Sequence, residues 1–220
     1  MSFDLIKLRD QLAHGAHELS IVLPEAQIKK LLDYLSLLSK WNAVYNLTAV
    51  RDPEQMLTQH LLDCLAAVPA LMNASRVLDV GSGGGLPGIV LAIWAQHAAP
   101  HMSIHMIDTV KKKTAFLTQV KSECDLANAQ IHSGRVEQLK DEKKFDVITS
   151  RAFAEIKDFV EWSGHLLSRG GKMIALKGQP QDNELRGLPI GWQITKLERI
   201  QVPGLDAERH LVHIERTTSS

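Results

Sequence analysis

Asp79-Val80-Gly81-Ser82-Gly83-Gly84-Gly85-Leu86-Pro87-Gly88 is the stretch that decides how this chain folds. The apolar segment Arg76-Val77-Leu78 precedes it, and an apolar helical run over 86–95 follows. A strand, a glycine turn and a helix in that order let backbone approach a nucleotide-like ligand closely. Each glycine lacks a Cβ and so admits backbone angles that other residues resist. Pro87 suits a first helical turn, where its missing N–H costs nothing.

Gly83, Gly85 and Gly88 compose a G-x-G-x-x-G, which alone is unspecific. Asp79 sharpens it. The pattern D-x-G-x-G-x-G resembles the first motif of S-adenosyl-L-methionine (AdoMet) methyltransferases more than a dinucleotide fingerprint. A dinucleotide sets its pyrophosphate at the helix N-terminus, where a nearby carboxylate repels it. AdoMet has no phosphate and carries an ammonium and a sulfonium, so Asp79 favours it. Asp108, twenty residues beyond Gly88, ends a second strand over 102–107 and is placed to accept from both ribose hydroxyls. NAD makes the same demand, so Asp108 points to a nucleoside without choosing between them. A plain tight turn, with Asp108 capping the helix near Val110, explains the pieces singly but not their order.

A chain of 220 residues suits one domain with a substantial core. Lys plus Arg and Asp plus Glu both number 25, so any nucleic-acid contact rests on a local patch. Cys64 and Cys124 fall in helical patterns and form no C-x-x-C, which fits a reduced, cytoplasmic chain. No signal-peptide core and no membrane-length apolar run is present. His101 with His105 and His14 with His17 lack the spacing and companions of a zinc site, so no metal is expected.

Residues 1–72 read as a helical extension, with helices over 2–19, 24–45 and 53–71. Leu31, Leu32, Leu35, Leu38 and Trp41 recur at helical spacing, and Pro24 and Pro53 mark first turns. Residues 73–220 alternate strand and helix. A helix over 111–124 is followed by strands over 129–132 and 145–149 and a helix over 155–167. Gly170-Gly171 then leads into a strand over 172–176, and an antiparallel pair over 192–200 and 210–214 closes the chain. Parallel βα units ending in a hairpin make an α/β fold: a Rossmann-like sheet of the class I AdoMet methyltransferase kind, with the helical N-terminal extension packed on it. Ligands in such sheets bind at the carboxyl ends of the strands.

Ser133-Gly134-Arg135-Val136-Glu137 follows the third strand, where methyltransferases hold adenine; Arg135 and Glu137 equally suit a solvated helix start. Thr149-Ser150-Arg151-Ala152-Phe153 follows the fourth, where the acceptor is met. The Asp/Asn-Pro-Pro-aromatic motif that methylates exocyclic amines is absent, and neither cysteine follows a strand to attack a pyrimidine carbon. An acceptor that is already nucleophilic remains. Guanine N7 qualifies, since its in-plane lone pair carries no proton and needs no general base. Positioning, worth up to roughly 7–11 kcal/mol, then carries most of the acceleration. Arg151 is expected to bond the cofactor carboxylate, a phosphate or O6, or else to pair with Glu155 on the surface. Lys177 puts a cation at the same mouth, and Arg151 and Lys177 are the candidates for a direct part in the reaction. Lys111-Lys112-Lys113 reads first as a solvated face, but at a helix N-terminus it opposes the dipole, which slightly raises the case for a phosphate partner.

Assembled, these residues resemble the RsmG (GidB) family of small-subunit ribosomal RNA guanine-N7 methyltransferases over nearly the whole length. The markers are Trp41-Asn42, Tyr45-Asn46-Leu47-Thr48, His60-Leu61-Leu62-Asp63, Asp79 through Gly88, Asp108, Lys112-Lys113, Arg135-Val136-Glu137, Ser150-Arg151-Ala152, Leu176-Lys177-Gly178, Pro203 and Arg209-His210-Leu211-Val212. The resemblance implies AdoMet-dependent N7 methylation of one guanine in the decoding-region loop of 16S rRNA, in a small subunit or its precursor. It implies that Gly81, Leu86, Val136, Glu137 and Arg151 line the AdoMet pocket, where Asp79, Gly83 and Asp108 join them. Lys112, Arg135 and Lys177 are RNA-contact candidates, with His60 and Asn46 at the rim. The other readings are an AdoMet methyltransferase for another RNA or a small molecule, an NAD-linked oxidoreductase, and a ribosome-binding module without catalysis.

Overall fold

The computed structural model describes residues 4–151, 153 and 155–217; Ser2 of the expected first helix and Ala152 of the strand-end motif lie outside them. Seven strands form one sheet in the order β3-β2-β1-β4-β5-β7-β6. They are β1 Arg76–Val80, β2 Ser103–Asp108, β3 Ala129–Ser133, β4 Phe145–Arg151, β5 Leu167–Lys177, β6 Trp192–Ile200 and β7 Arg209–Arg216. Strands β1 to β5 run parallel, and β7 lies antiparallel between β5 and β6. The chain leaves β1 toward β2 and returns on its other side as β4. A crevice therefore opens where β1 and β4 end, the place at which such sheets take ligands.

Alternate strand residues face opposite layers, as the period of two requires. Val77, Ile104, Met106, Val147 and Ile174 join the core beneath α2 Glu25–Tyr45, α6 Gly88–Ala98 and α7 Lys111–Glu123. Leu78, Val80, Ile107, Ile148 and Met173 pack on the other face with α8 Ile156–Ser163. Leu8 and Leu12 of α1 Leu5–Glu18 and Leu31, Leu35 and Leu38 of α2 enter the first of these clusters, so the N-terminal helices share a core with the sheet.

The stretch expected as one helix over 53–71 is subdivided. Asp52 caps α3 Pro53–Met56 by accepting from Gln55 N at 2.9 Å. A π-helical segment, Leu57–Leu62, follows, then α4 Asp63–Leu65 and α5 Val68–Leu71. Pro69 has no N–H to continue the ladder, which accounts for the break before α5. Two boundaries also differ further on. The helix expected over 155–167 stops at Ser163, and Gly164–Leu166 forms a 3-10 turn. Strand β5 begins at Leu167 and carries Gly170-Gly171 inside it, where its register with β4 shifts and Gly170 has φ +76°. A short helix after β5, α9 Asp182–Arg186, was not anticipated. No helix among the described residues is long and apolar enough to cross a membrane.

Candidate active site

The glycine turn closes over the end of β1. Gly81 takes φ +71° and its N–H donates to Ile107 O at 2.9 Å, a left-handed conformation that a side chain resists. Tyr34 of α2 donates its hydroxyl to Gly84 O at 2.6 Å, so the extension braces the turn from behind. Asp79 lies beneath it, fully buried. Its Oδ2 accepts from Gly88 N at 2.9 Å and caps α6, while Oδ1 has no partner among the described residues. Burial pushes the Asp79 carboxyl up to about 7, against the lowering effect of the Gly88 N–H. Gly88 is required by close approach, since a Cβ there would stand 2.4 Å from Met106 and 2.8 Å from Asp79.

A cavity of about 490 Å³ opens beside the turn. Its wall includes Gly81, Ile107, Asp108, Val136 and Glu137, together with Arg151, Phe153, Asp158 and Trp162. Asp108 is held rigidly: Oδ2 accepts from Gly83 N at 3.0 Å and Oδ1 from Val110 N at 2.9 Å. Each oxygen keeps a second acceptor direction. Lys113, also in the wall, sits 3.7 Å from Asp108.

Arg151 ends β4 and does not pair with Glu155. Its Nη1 donates to Asp63 Oδ2 at 3.1 Å and to Gln59 O at 2.8 Å. Asp63 is buried at the end of the π-helical segment, and its other oxygen accepts from Arg209 Nε of β7 at 2.8 Å. One carboxylate thus joins the extension, the middle of the sheet and its last strand. His60 lies inside this network, only 4% exposed. Its Nδ1 faces Arg151 Nη2 at 3.4 Å and its Nε2 lies 2.8 Å from Thr48 Oγ1. A guanidinium only donates, so the ring proton belongs on Nε2. Burial, aided by Arg151, pushes His60 down to about 4 and keeps it neutral.

The remaining residues singled out in the sequence divide by position. Gly81, Asp108, Arg135, Val136, Glu137 and Arg151 border the cavity. Leu86 is buried in the core, and Asp79 and Gly83 support the wall from behind. Asn46 is the left-handed cap of α2, accepting from Arg51 Nη2 at 3.1 Å. Lys112 is over the Tyr45 ring at 5.8 Å, and Arg135 is solvent-facing, 3.8 Å from Glu137. Lys177 donates to Phe153 O at 2.9 Å and pairs with Glu184. Sequence reasoning placed Phe153 in the acceptor stretch without a task of its own, and gave Asp63, Asp158, Trp162 and Glu184 no role. Asp63 did leave a signal, a charge within the apolar run Leu61-Leu62-Asp63-Cys64-Leu65, which needs a buried partner.

The cavity suits AdoMet. Ile107 and Val136 offer apolar flanks for a purine, Asp108 offers acceptors for a ribose, and behind the turn Asp79 Oδ1 is a buried acceptor with no donor among the described residues. Asp79, Asp108 and Glu137 together disfavour a pyrophosphate. Solved structures share the architecture: the O-methyltransferase from Bacillus cereus in complex with SAH aligns at a TM-score of 0.58 with 15% identity, over 96% of this chain and all of that one. TrmN from Thermus thermophilus aligns at 0.54 with 19% identity, over 73% of this chain and 53% of that one. Sheet order, glycine turn and strand-end carboxylate define a class I AdoMet-dependent methyltransferase with a Rossmann-like fold. The family model for rRNA small subunit methyltransferase G (GidB) matches residues 27–212. Proteins named ribosomal RNA small subunit methyltransferase G from Janthinobacterium sp. (strain Marseille) and Herminiimonas arsenicoxydans are 64% and 63% identical, over 98% of this chain in each case and 98% and 99% of theirs. The chain belongs to the rRNA small subunit methyltransferase G family and is an AdoMet-dependent rRNA methyltransferase.

Proposed function

We propose that this enzyme methylates N7 of one guanine in the decoding-region loop of 16S rRNA, within a small subunit or its precursor in the cytoplasm. One observation carries the choice of acceptor atom: the described side chains at the end of β4 provide no base, and the carboxylate of Asp158 joins the cavity wall from α8 instead. The Ser150 hydroxyl is buried and donates to Val80 O at 2.7 Å, Arg151 is engaged by Asp63, and Phe153 is apolar. Guanine N7 needs no deprotonation, so a site that only orients its reactants suffices.

When bound, AdoMet supplies an electrophilic methyl group on a sulfonium. In this reading Asp108 accepts from the ribose hydroxyls, Val136 and Glu137 flank the adenine, and Gly81 and Gly83 shape the backbone around the amino-acid end. Asp79, behind the turn, would favour the ammonium through its negative charge, and Leu86 supports the turn from the core. Arg151 orients the cofactor carboxylate or the guanine O6, leaving N7 open. Residues 1–72 serve as an extension that completes the mouth of the unit formed by 73–220. Lys112 and Arg135 meet phosphate, and Asn46 stands on the same side.

The test is to incubate free 16S rRNA and intact small subunits with labelled AdoMet and map the product. Label on guanine N7 at one position, favoured on the particle, is expected. Label on an exocyclic amine would overturn the acceptor chemistry.

A further inference from the structure

Lys177, at the end of β5, reads from sequence as a cation for RNA. Its surroundings give it other work. The ammonium donates to Phe153 O at 2.9 Å and lies 2.5 Å from Glu184 Oε1 on α9, and the two side chains are only 14% and 12% exposed. A phosphate contact requires an ammonium that solvent and ligand can reach, whereas this one is enclosed by a backbone carbonyl and a carboxylate.

The residue it grips is the aromatic wall of the cavity. The Phe153 ring meets Trp162 edge-on, with centroids 5.5 Å apart, and tilts against Phe159 at 5.7 Å. Its edge passes 3.8 Å from where a Cβ on Gly81 would be, which places it against the glycine turn. Leu185 and Leu188, on α9 and just beyond it, pack into the same cluster. Glu184, Lys177 and Phe153 therefore link the stretch after β5 to the stretch after β4.

We propose that Lys177 and Glu184 form a latch that fixes Phe153, whose ring is the face on which the acceptor purine stacks. The proposal rests on the nucleobase acceptor argued above. A base drawn from its stack loses its neighbours, and an aromatic face replaces them without regard to base identity. Phe153 touches the substrate; Lys177 and Glu184 are positioning residues.

The test compares Glu184→Gln, Lys177→Met, Phe153→Leu and Phe153→Tyr in the full chain, with small subunits as acceptor. Misplacement of a reactant by about an ångström costs up to about 100-fold, so kcat is expected to fall about 10-fold in Glu184→Gln and more in Lys177→Met. KM for the particle stays within about 2-fold, and Phe153→Tyr retains the turnover that Phe153→Leu loses. A lysine that touched phosphate would, when removed, reduce the salt dependence of RNA binding by about one unit of slope; the latch predicts no change. Hydrogen exchange over residues 150–158, measured without RNA, rises in both latch variants. That readout stands even if the wild-type enzyme fails to label rRNA, which would sink the functional reading alone. The latch is overturned if Glu184→Gln binds RNA more tightly with a steeper salt dependence, or if exchange and kcat match wild type.

Discussion

Asp79 shows how one side chain serves both fold and ligand. Its carboxyl is held at about 7 by burial, far above the ordinary carboxylate range, and one oxygen has no donor among the described residues. The positive charge of a nearby ammonium favours the ionised form, so AdoMet affinity is expected to rise with pH up to about 7. Asp79→Asn should bind more weakly above that pH and lose the dependence; titration calorimetry between pH 5.5 and 8.5 reads both. Asp158 makes a second case. It lines the cavity as a carboxylate that a base-assisted mechanism would recruit. Attack by an unprotonated ring nitrogen has no use for it, so Asp158→Asn should keep kcat within about 3-fold, against the ~10²–10⁴-fold that loss of a general base costs.

At the scale of elements, the π-helical segment is the part that local sequence rules describe least well. Such turns are rare and cluster at functional sites; this one ends at Asp63, which meets two arginines. Removing a buried partner leaves the opposite charges uncompensated, so Asp63→Ala should cost about 3–5 kcal/mol in urea unfolding. Asp63→Asn should cost less, because it keeps an acceptor. The contrast with the glycine turn explains what could be read from sequence. Asp79, Gly81 and Asp108 announce themselves through short spacings between strand, turn and helix, so that part of the site was legible. Asp63 finds its partners 88 and 146 residues away, a relation that no local pattern carries. His60 and Lys177 read as surface cations or rim groups because a lone polar residue does not reveal whether Thr48 or Glu184 will enclose it.

For the molecule as a whole, buried titratable groups set the response to acid. His60 and His105 both fall to about 4 on burial, while Asp79 rises to about 7. Between pH 4 and 6.5 the unfolded chain binds protons at both histidines, whereas the folded chain binds one at Asp79. The histidine contributions are present above 6.5 and are lost as pH falls toward 4; the aspartate contribution runs the other way. Two histidines outweigh one aspartate, so folding stability should rise with pH in this window by about 1.4 kcal/mol per unit for each net proton. Chemical denaturation at pH 5 and 6.5 checks the sign. A flat profile in the wild type and a steeper one in Asp79→Asn would assign the aspartate a larger share than this balance gives it.

Strand β7 enters the sheet between β5 and β6, and it carries the Arg209 that closes on Asp63. Because Arg209 lies 146 residues beyond Asp63, this contact closes only once the chain has been made through β7. A nascent polypeptide lacking β7 has the glycine turn and the Arg151–Asp63 contact but not the arm that Arg209 adds to it.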